Sequence, residues 1–336
     1  MSEQPVLEVA GLEVSFPGKK KMFGKAAPIR AVKGVSLSIQ PGETLGLVGE
    51  SGSGKSTVAR ALMRLIEPAA GRVTLKGEDL TALKGSALRK ARRNIQMVFQ
   101  DPYSSLDPSA LVADTVGEAL EVHEGLKGKE RDARVAELLE LVGLAGHHLE
   151  RYPYEFSGGQ RQRIAIARAL ALNPAVVVCD EAVSALDVST QNQIIGLLEG
   201  LREKLNVAYL FISHDLAVVR HISDRVAVMY FGHLVEVGTV EQIFERPAHP
   251  YTRALLSAVP IADPVRQRGR KTAILSGEIP DIVNPPKGCP FASRCEFATD
   301  ACTEKMPEFR DHDGSSVACY HPLENSPTSE AFALSQ

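Results

Sequence analysis

The chain has 336 residues, a formal net charge of −3, 44% hydrophobic residues and 24% charged ones. This is the balance of an ordinary globular chain, and it excludes a disordered, collagen-like or disulfide-stapled protein. The small net charge excludes a nucleic-acid or anionic-membrane field over the whole surface, and 5% aromatics without tryptophan argue against an aromatic-rich recognition face.

At about 150 residues per domain, roughly two domains are expected. No apolar run approaches the roughly 18 residues of a membrane span. The greasiest stretch, 164–179, is broken by Arg168 and by Asn173-Pro174. Glu3, Glu8 and Glu13 do not suit a secretory signal, so the chain is expected in the cytoplasm. Its five cysteines are then thiols or metal ligands rather than disulfides.

In chain order, residues 6–16 alternate apolar and polar, with a turn expected at Ala10-Gly11, and read as strands. Residues 18–28 form a basic loop carrying Lys19, Lys20, Lys21 and Lys25, read as solvated. Strands at 35–39 and 43–48 flank the Pro41-Gly42 turn, and a helix is predicted over 56–66. From about 101 to 171 the pattern is mostly helical, opening on an irregular loop at 101–108, with helices predicted over 131–142 and 158–172. A strand at 176–179, a helix at 190–205 and a strand at 208–212 follow. Residues 226–230 and 234–237 face each other as a hairpin across Phe231-Gly232-His233. Strand–helix alternation around a helical insertion predicts an α/β core with a helical subdomain. Beyond Pro247 prolines cluster and cysteines appear, which marks a second, smaller unit.

Gly49-Glu50-Ser51-Gly52-Ser53-Gly54-Lys55-Ser56-Thr57 fits G-x4-G-K-[ST] after a predicted strand and at the start of a predicted helix, the context that motif requires. Its glycines let successive N–H groups turn inward onto phosphate oxygens, and the helix N-terminus adds to the field. Lys55 is placed to reach the β- and γ-phosphates, and the Ser56 hydroxyl to ligate Mg²⁺. The 176–179 strand delivers Asp180 and Glu181 to the sheet edge where ligands sit in parallel sheets. Asp180 suits the Mg²⁺ shell, and Glu181 suits the orientation of an attacking water.

Further motifs fall in order: Gln100 after the 95–99 stretch, Ser157-Gly158-Gly159-Gln160 before a basic helix, Ser184-Ala185-Leu186-Asp187, and His214 after the 208–212 strand. Over about residues 6–245 this set resembles the ATP-binding subunit of an ABC (ATP-binding cassette) transporter. The resemblance implies a P-loop core with an antiparallel β subdomain and a helical subdomain, spanning 1–245, and a Cys-rich extension over 246–336. It also implies ATP and Mg²⁺ as ligands. Gln100 matches the glutamine that senses Mg²⁺ and faces the membrane subunits. Ser157 to Gln160 match the signature that binds the γ-phosphate held by an opposing subunit. Asp180 and Glu181 match the magnesium and catalytic-base pair, Asp187 ends the D-loop, and His214 matches the switch histidine. Phe16 stands where the family stacks an aromatic ring on adenine, with a core phenylalanine as the other reading.

The stretch from Gln100 to Pro108 and the run His249-Pro250-Tyr251-Thr252-Arg253-Ala254-Leu255-Leu256 resemble importers of dipeptides, oligopeptides and nickel. Glu181-Ala182-Val183 with Phe156, which depart from the general family's pattern, resemble the F-type ATPase of their two paralogues. The resemblance implies a heterodimer with a paralogous ATPase, two permease subunits and an extracytoplasmic binding protein, at the cytoplasmic face of the cell membrane. A soluble ABC ATPase acting on nucleic acid or the ribosome, and an importer of nickel or glutathione, are the alternatives. Cys289-x5-Cys295-x6-Cys302-x16-Cys319 supplies four sulfur donors for a [4Fe–4S] cluster, for zinc, or as free thiols. Cys179 reads as a small buried hydrophobe, and Arg266, Arg268, Arg270 and Lys271 as a solvated linker.

Overall fold

The computed structural model describes residues 4–18, 28–258, 280–282 and 284–324. The lysines at 19, 20, 21 and 25, and the basic run from Arg266 to Lys271, lie outside the described residues. Alternating burial pairs β1 (Leu7–Phe16) antiparallel with β2 (Ile29–Ile39). The turn expected at Ala10-Gly11 is a bulge within one continuous strand instead. A register shift between Val9 and Leu12 absorbs Gly11, whose φ of 59° suits glycine.

Next come β3 (Thr44–Val48), α1 (Lys55–Leu62), β4 (Ala70–Leu75), β5 (Glu78–Asp79) and α2 (Gly85–Ala91). Helix α1 stops short of the predicted end at Ile66. Arg64 turns left-handed (φ 54°) and buries its guanidinium against the Leu80 carbonyl at 2.6 Å and the Glu67 carboxylate at 2.8 Å. Strand β6 (Ile95–Val98) leads into the helical region of α3 (Pro102–Ser105), α4 (Val112–Glu124), α5 (Gly128–Leu141) and α6 (Gly158–Leu170). The chain returns through β7 (Val176–Asp180), α7 (Val188–Leu205), β8 (Ala208–Ile212) and α8 (Leu216–Ile222). It continues with β9 (Arg225–Tyr230), β10 (His233–Thr239), α9 (Val240–Glu245) and α10 (Pro250–Ser257), and closes on β11 (Arg310–His312) and β12 (Ser315–Val317).

Two sheets result, ordered β2-β1-β4-β5 and β11-β12-β10-β9-β3-β8-β7-β6. From β9 to β6 the larger sheet is parallel. Its strands are apolar runs buried on both faces, as parallel sheets require. Along β7, Val176 and Val178 face a core shared with β1, β2 and α1. Val177 and Cys179 face the core shared with α4, α5 and α6.

The extension differs from the separate unit that composition suggested. Tyr251, Leu256, Cys289, Phe291 and Cys302 join the core on the helical side, and β12 pairs with β10, Glu236 opposite Val317. The segment has too few large apolar side chains for a core of its own, so it borrows one. Among the described residues no helix is long and apolar enough to cross a membrane.

Candidate functional site: a phosphate loop and its carboxylates

Between β3 and α1 the backbone turns at Gly49, Gly52 and Gly54, with φ of 152°, 79° and 109°. A Cβ on Gly49 would sit 2.1 Å from the Met229 carbonyl, and one on Gly54 would sit 2.7 Å from the Ala31 carbonyl. The loop is therefore pressed against β9 and β2, and no side chain fits at either position. Lys55 is buried, and its Nζ donates to the carbonyls of Gly49 at 2.8 Å and Glu50 at 3.0 Å. Burial holds its pKa below the ordinary lysine value, against the opposing charges of Glu181, Asp180 and Glu50.

Strand β7 ends on Asp180, whose Oδ1 accepts from Ser56 Oγ at 2.9 Å. Burial pushes this carboxyl above its ordinary value, against the Ser56 hydrogen bond and with the Glu181 charge. A buried carboxylate beside a hydroxyl is the donor set of a hard cation, so the pair fits Mg²⁺. Glu181 leaves the strand in the left-handed region (φ 50°). Its Oε2 accepts from Gln100 Nε2 at 2.7 Å and lies 3.5 Å from His214 Nδ1. Side chains from the ends of β6, β7 and β8 thus meet on one carboxylate. Gly52, Lys55, Ser56, Gln100 and Glu181 line a cleft of about 340 Å³.

The opposite wall carries Arg30, Lys33, Phe231 and Ile282, none of which the sequence reading singled out. Lys33 Nζ lies 3.8 Å over the Phe231 ring and donates to the Phe231 carbonyl at 2.9 Å. The one legible signal was the Phe231-Gly232 turn expected in the hairpin. Phe16 ends β1 opposite Ile29, is 37% exposed, and is not among the cleft-lining residues.

The signature residues also lie away from this cleft. Ser157 caps α6, accepting from the Gln160 amide at 3.3 Å, while Gln160 Oε1 accepts from the Ser157 amide at 3.0 Å. A Cβ on Gly159 would lie 2.4 Å from Thr190 Cγ2, so α6 packs tightly on the start of α7. Asp187 caps α7 there by accepting from the Thr190 amide and hydroxyl. Beyond Gln100, Tyr103 is exposed with the Arg161 guanidinium 4.0 Å over its ring. A second groove, unforeseen from sequence, runs beside it and is lined by Leu65, Met97, Phe99, Ala119, Val122 and Arg168.

Cys289, Cys295, Cys302 and Cys319 line one small cavity together with His249. Burial pushes the Cys289 thiol up to about 11 and the Cys319 thiol up to about 12, and raises Cys295 as well. His249 is fully buried. Its Nδ1 accepts from the Tyr251 amide at 3.0 Å, and its Nε2 has no protein partner. The four thiols share this cavity, and burial disfavours the anionic form of Cys289, Cys295 and Cys319. Among the described residues, however, no three Cys, His, Asp or Glu side chains are grouped as the ligands of one metal ion. Cys179 lies in the sheet core, its thiol pushed up to about 12 by burial, as a small apolar residue would be placed.

A dimeric ATP-binding cassette in a post-hydrolysis state bound to ADP and Pi matches the fold with a TM-score of 0.61 and 32% identity, over 70% of this chain and 98% of that one. Residues 32–184 match the ABC transporter family, and residues 235–302 match the oligopeptide/dipeptide transporter C-terminal region. Sheet, loop and carboxylates together define an ABC-type ATPase, which hydrolyses ATP to drive transport. The oligopeptide transport ATP-binding protein AppF of Bacillus subtilis (strain 168) is 49% identical over 325 residues, 95% of this chain and 98% of the relative. The glutathione import ATP-binding protein GsiA of Escherichia coli O157:H7 is 54% identical over 282 residues, 84% of this chain and 45% of the relative. The chain belongs to the ATP-binding subunits of oligopeptide/dipeptide ABC transporters.

Proposed function

We propose that this chain is the motor subunit of an importer of di- or oligopeptides. It pairs with a paralogous ATPase beneath two permease subunits, which an extracytoplasmic binding protein supplies, at the cytoplasmic face of the cell membrane. The observation that carries the reading is the convergence of Gln100 and His214 on Glu181, beside Lys55 and the Ser56–Asp180 pair. Identity to AppF along nearly the whole chain supports the peptide substrate, and the groove beside Gln100 suits a permease helix.

Lys55 exchanges its loop carbonyls for the β- and γ-phosphate oxygens of ATP. Ser56 and Asp180 would hold Mg²⁺, which when bound would neutralise phosphate charge. Glu181 orients the attacking water, while Gln100 and His214 fix the direction of its carboxylate. Ser157 to Gln160 cover the γ-phosphate held by the opposing subunit, so two chains close head to tail on ATP and part after hydrolysis. On the extension, Cys289, Cys295, Cys302 and Cys319 are the residues that would hold a [4Fe–4S] centre, with zinc as the alternative. Either metal would supply a cross-link for the segment. About four irons per chain in anaerobically purified protein supports the cluster, and one zinc replaces it.

The test is the assembled transporter in nanodiscs, with its binding protein loaded by peptide or by glutathione. Stimulation of ATP turnover by the peptide-loaded form is the expected result. Stimulation by the glutathione-loaded form alone favours the second reading, to which the likeness to GsiA points.

A further inference from the structure

The phosphate loop carries an acid where it must receive a polyanion. Glu50 follows Gly49, and its backbone carbonyl accepts from Lys55 Nζ at 3.0 Å. Its two other polar groups are held by the extension. The Glu50 amide donates to the Tyr251 hydroxyl at 2.9 Å, and the Glu50 carboxylate accepts from Arg294 Nη1 at 3.1 Å. Arg294 ends the short turn Ala292–Arg294, directly before Cys295. Its side chain is only 6% exposed, and Nη1 also lies 3.2 Å from the Tyr230 hydroxyl. Tyr230, Tyr251 and Phe291 pack ring against ring beneath it, with centroids 4.5 to 5.5 Å apart.

We propose that Arg294 is a positioning residue of the ATPase site: it neutralises Glu50 and draws that carboxylate away from the incoming phosphates, so that the Cys-rich segment sets the nucleotide affinity of the loop. The physical reason is charge. An uncompensated carboxylate beside Lys55 both competes for the lysine and repels the nucleotide, and it repels MgATP more than MgADP. A partner that is nearly buried is screened little by salt. The inference rests on the reading of residues 49–57 as the nucleotide site.

The test is MgATP and MgADP affinity of the full-length chain, measured by displacement of a fluorescent nucleotide, for Arg294→Gln, Arg294→Lys, Arg294→Gln/Glu50→Gln and Lys55→Ala. Contacting residues couple strongly, so Arg294→Gln should weaken MgATP binding by about three- to thirtyfold, and MgADP binding less. Arg294→Lys should restore part of the loss by returning the charge. The double variant should recover most of it, because the repelling carboxylate is gone. A purely architectural arginine predicts the opposite, a double variant as weak as the single one or weaker, and that result overturns the proposal. Affinity unchanged in Arg294→Gln while Lys55→Ala loses binding also overturns it and leaves the phosphate-loop reading intact. Unchanged affinity in both variants overturns the phosphate-loop reading itself.

Discussion

The two ends of the larger sheet are held in different ways. At the carboxyl ends of β3, β7 and β8, the backbone itself makes the site. Glycines are pressed against carbonyls, Lys55 donates to the Gly49 and Glu50 carbonyls, and Ser56 donates to Asp180, across a loop fixed by close approach. At the β10 end, the extension is attached by packing on the core, by the β12 pairing and by buried polar pins. Glu236 is fully buried and accepts from the amides of Ala248 at 2.7 Å and His249 at 2.9 Å. A loop shape built into the backbone survives the loss of one side chain, whereas each pin lost loosens the extension.

The sharpest break of this comparison lies at the first end. Glu181→Gln should lower ATP turnover of the assembled complex by about 10³-fold, the scale of losing a positioned base, while nucleotide binding survives. Phosphate release and filter binding measured side by side check this, and near-normal turnover would remove Glu181 from its role. At the second end, Glu236→Ala leaves two amides buried without acceptors and should cost about 3 kcal/mol, at 1–3 kcal/mol for each unmade bond. Thermal unfolding and limited proteolysis should show the extension loosening first, and MgATP binding should weaken to the extent that Arg294 leaves Glu50. An unchanged unfolding midpoint would deny that Glu236 pins anything.

The smallest effect concerns the cleft wall. Burial, with Arg30 nearby, lowers the Lys33 pKa from 10.5 to about 8. Folding thus prefers the neutral amine, and this lysine makes the fold more stable as pH rises from about 8 towards 10.5. Nucleotide binding has the opposite sign, because an anion favours the ammonium form. MgATP affinity should fall about threefold between pH 7 and 9, and Lys33→Met should flatten that slope. A flat profile in the unaltered protein would place the lysine too far from the nucleotide to matter.

Legibility from sequence follows the same division. The phosphate loop was readable because glycine spacing is the chemistry, and Asp180-Glu181 because an apolar strand announces its own end. The parallel strands were readable within a residue or two, since burial on both faces leaves uninterrupted apolar runs. Long-range partners were not. Glu50 and Arg294 are 244 positions apart, and Lys33 meets Phe231 across 198. No local pattern marks either contact. Helix α1 likewise ended early for a tertiary reason, the burial of Arg64 against Leu80.

The pairing of β12 with β10 has a consequence for how this chain behaves among copies of itself. An uncovered β10 would present a row of free amides and carbonyls, a template on which another chain could add a strand. The short strand β12 covers part of that row, and β11 becomes the outer margin in its place. β11 is three residues long, reads Arg310-Asp311-His312 and is largely exposed, so its charge and brevity make it a poor template. The tail is therefore also a guard that keeps the sheet from growing beyond the molecule.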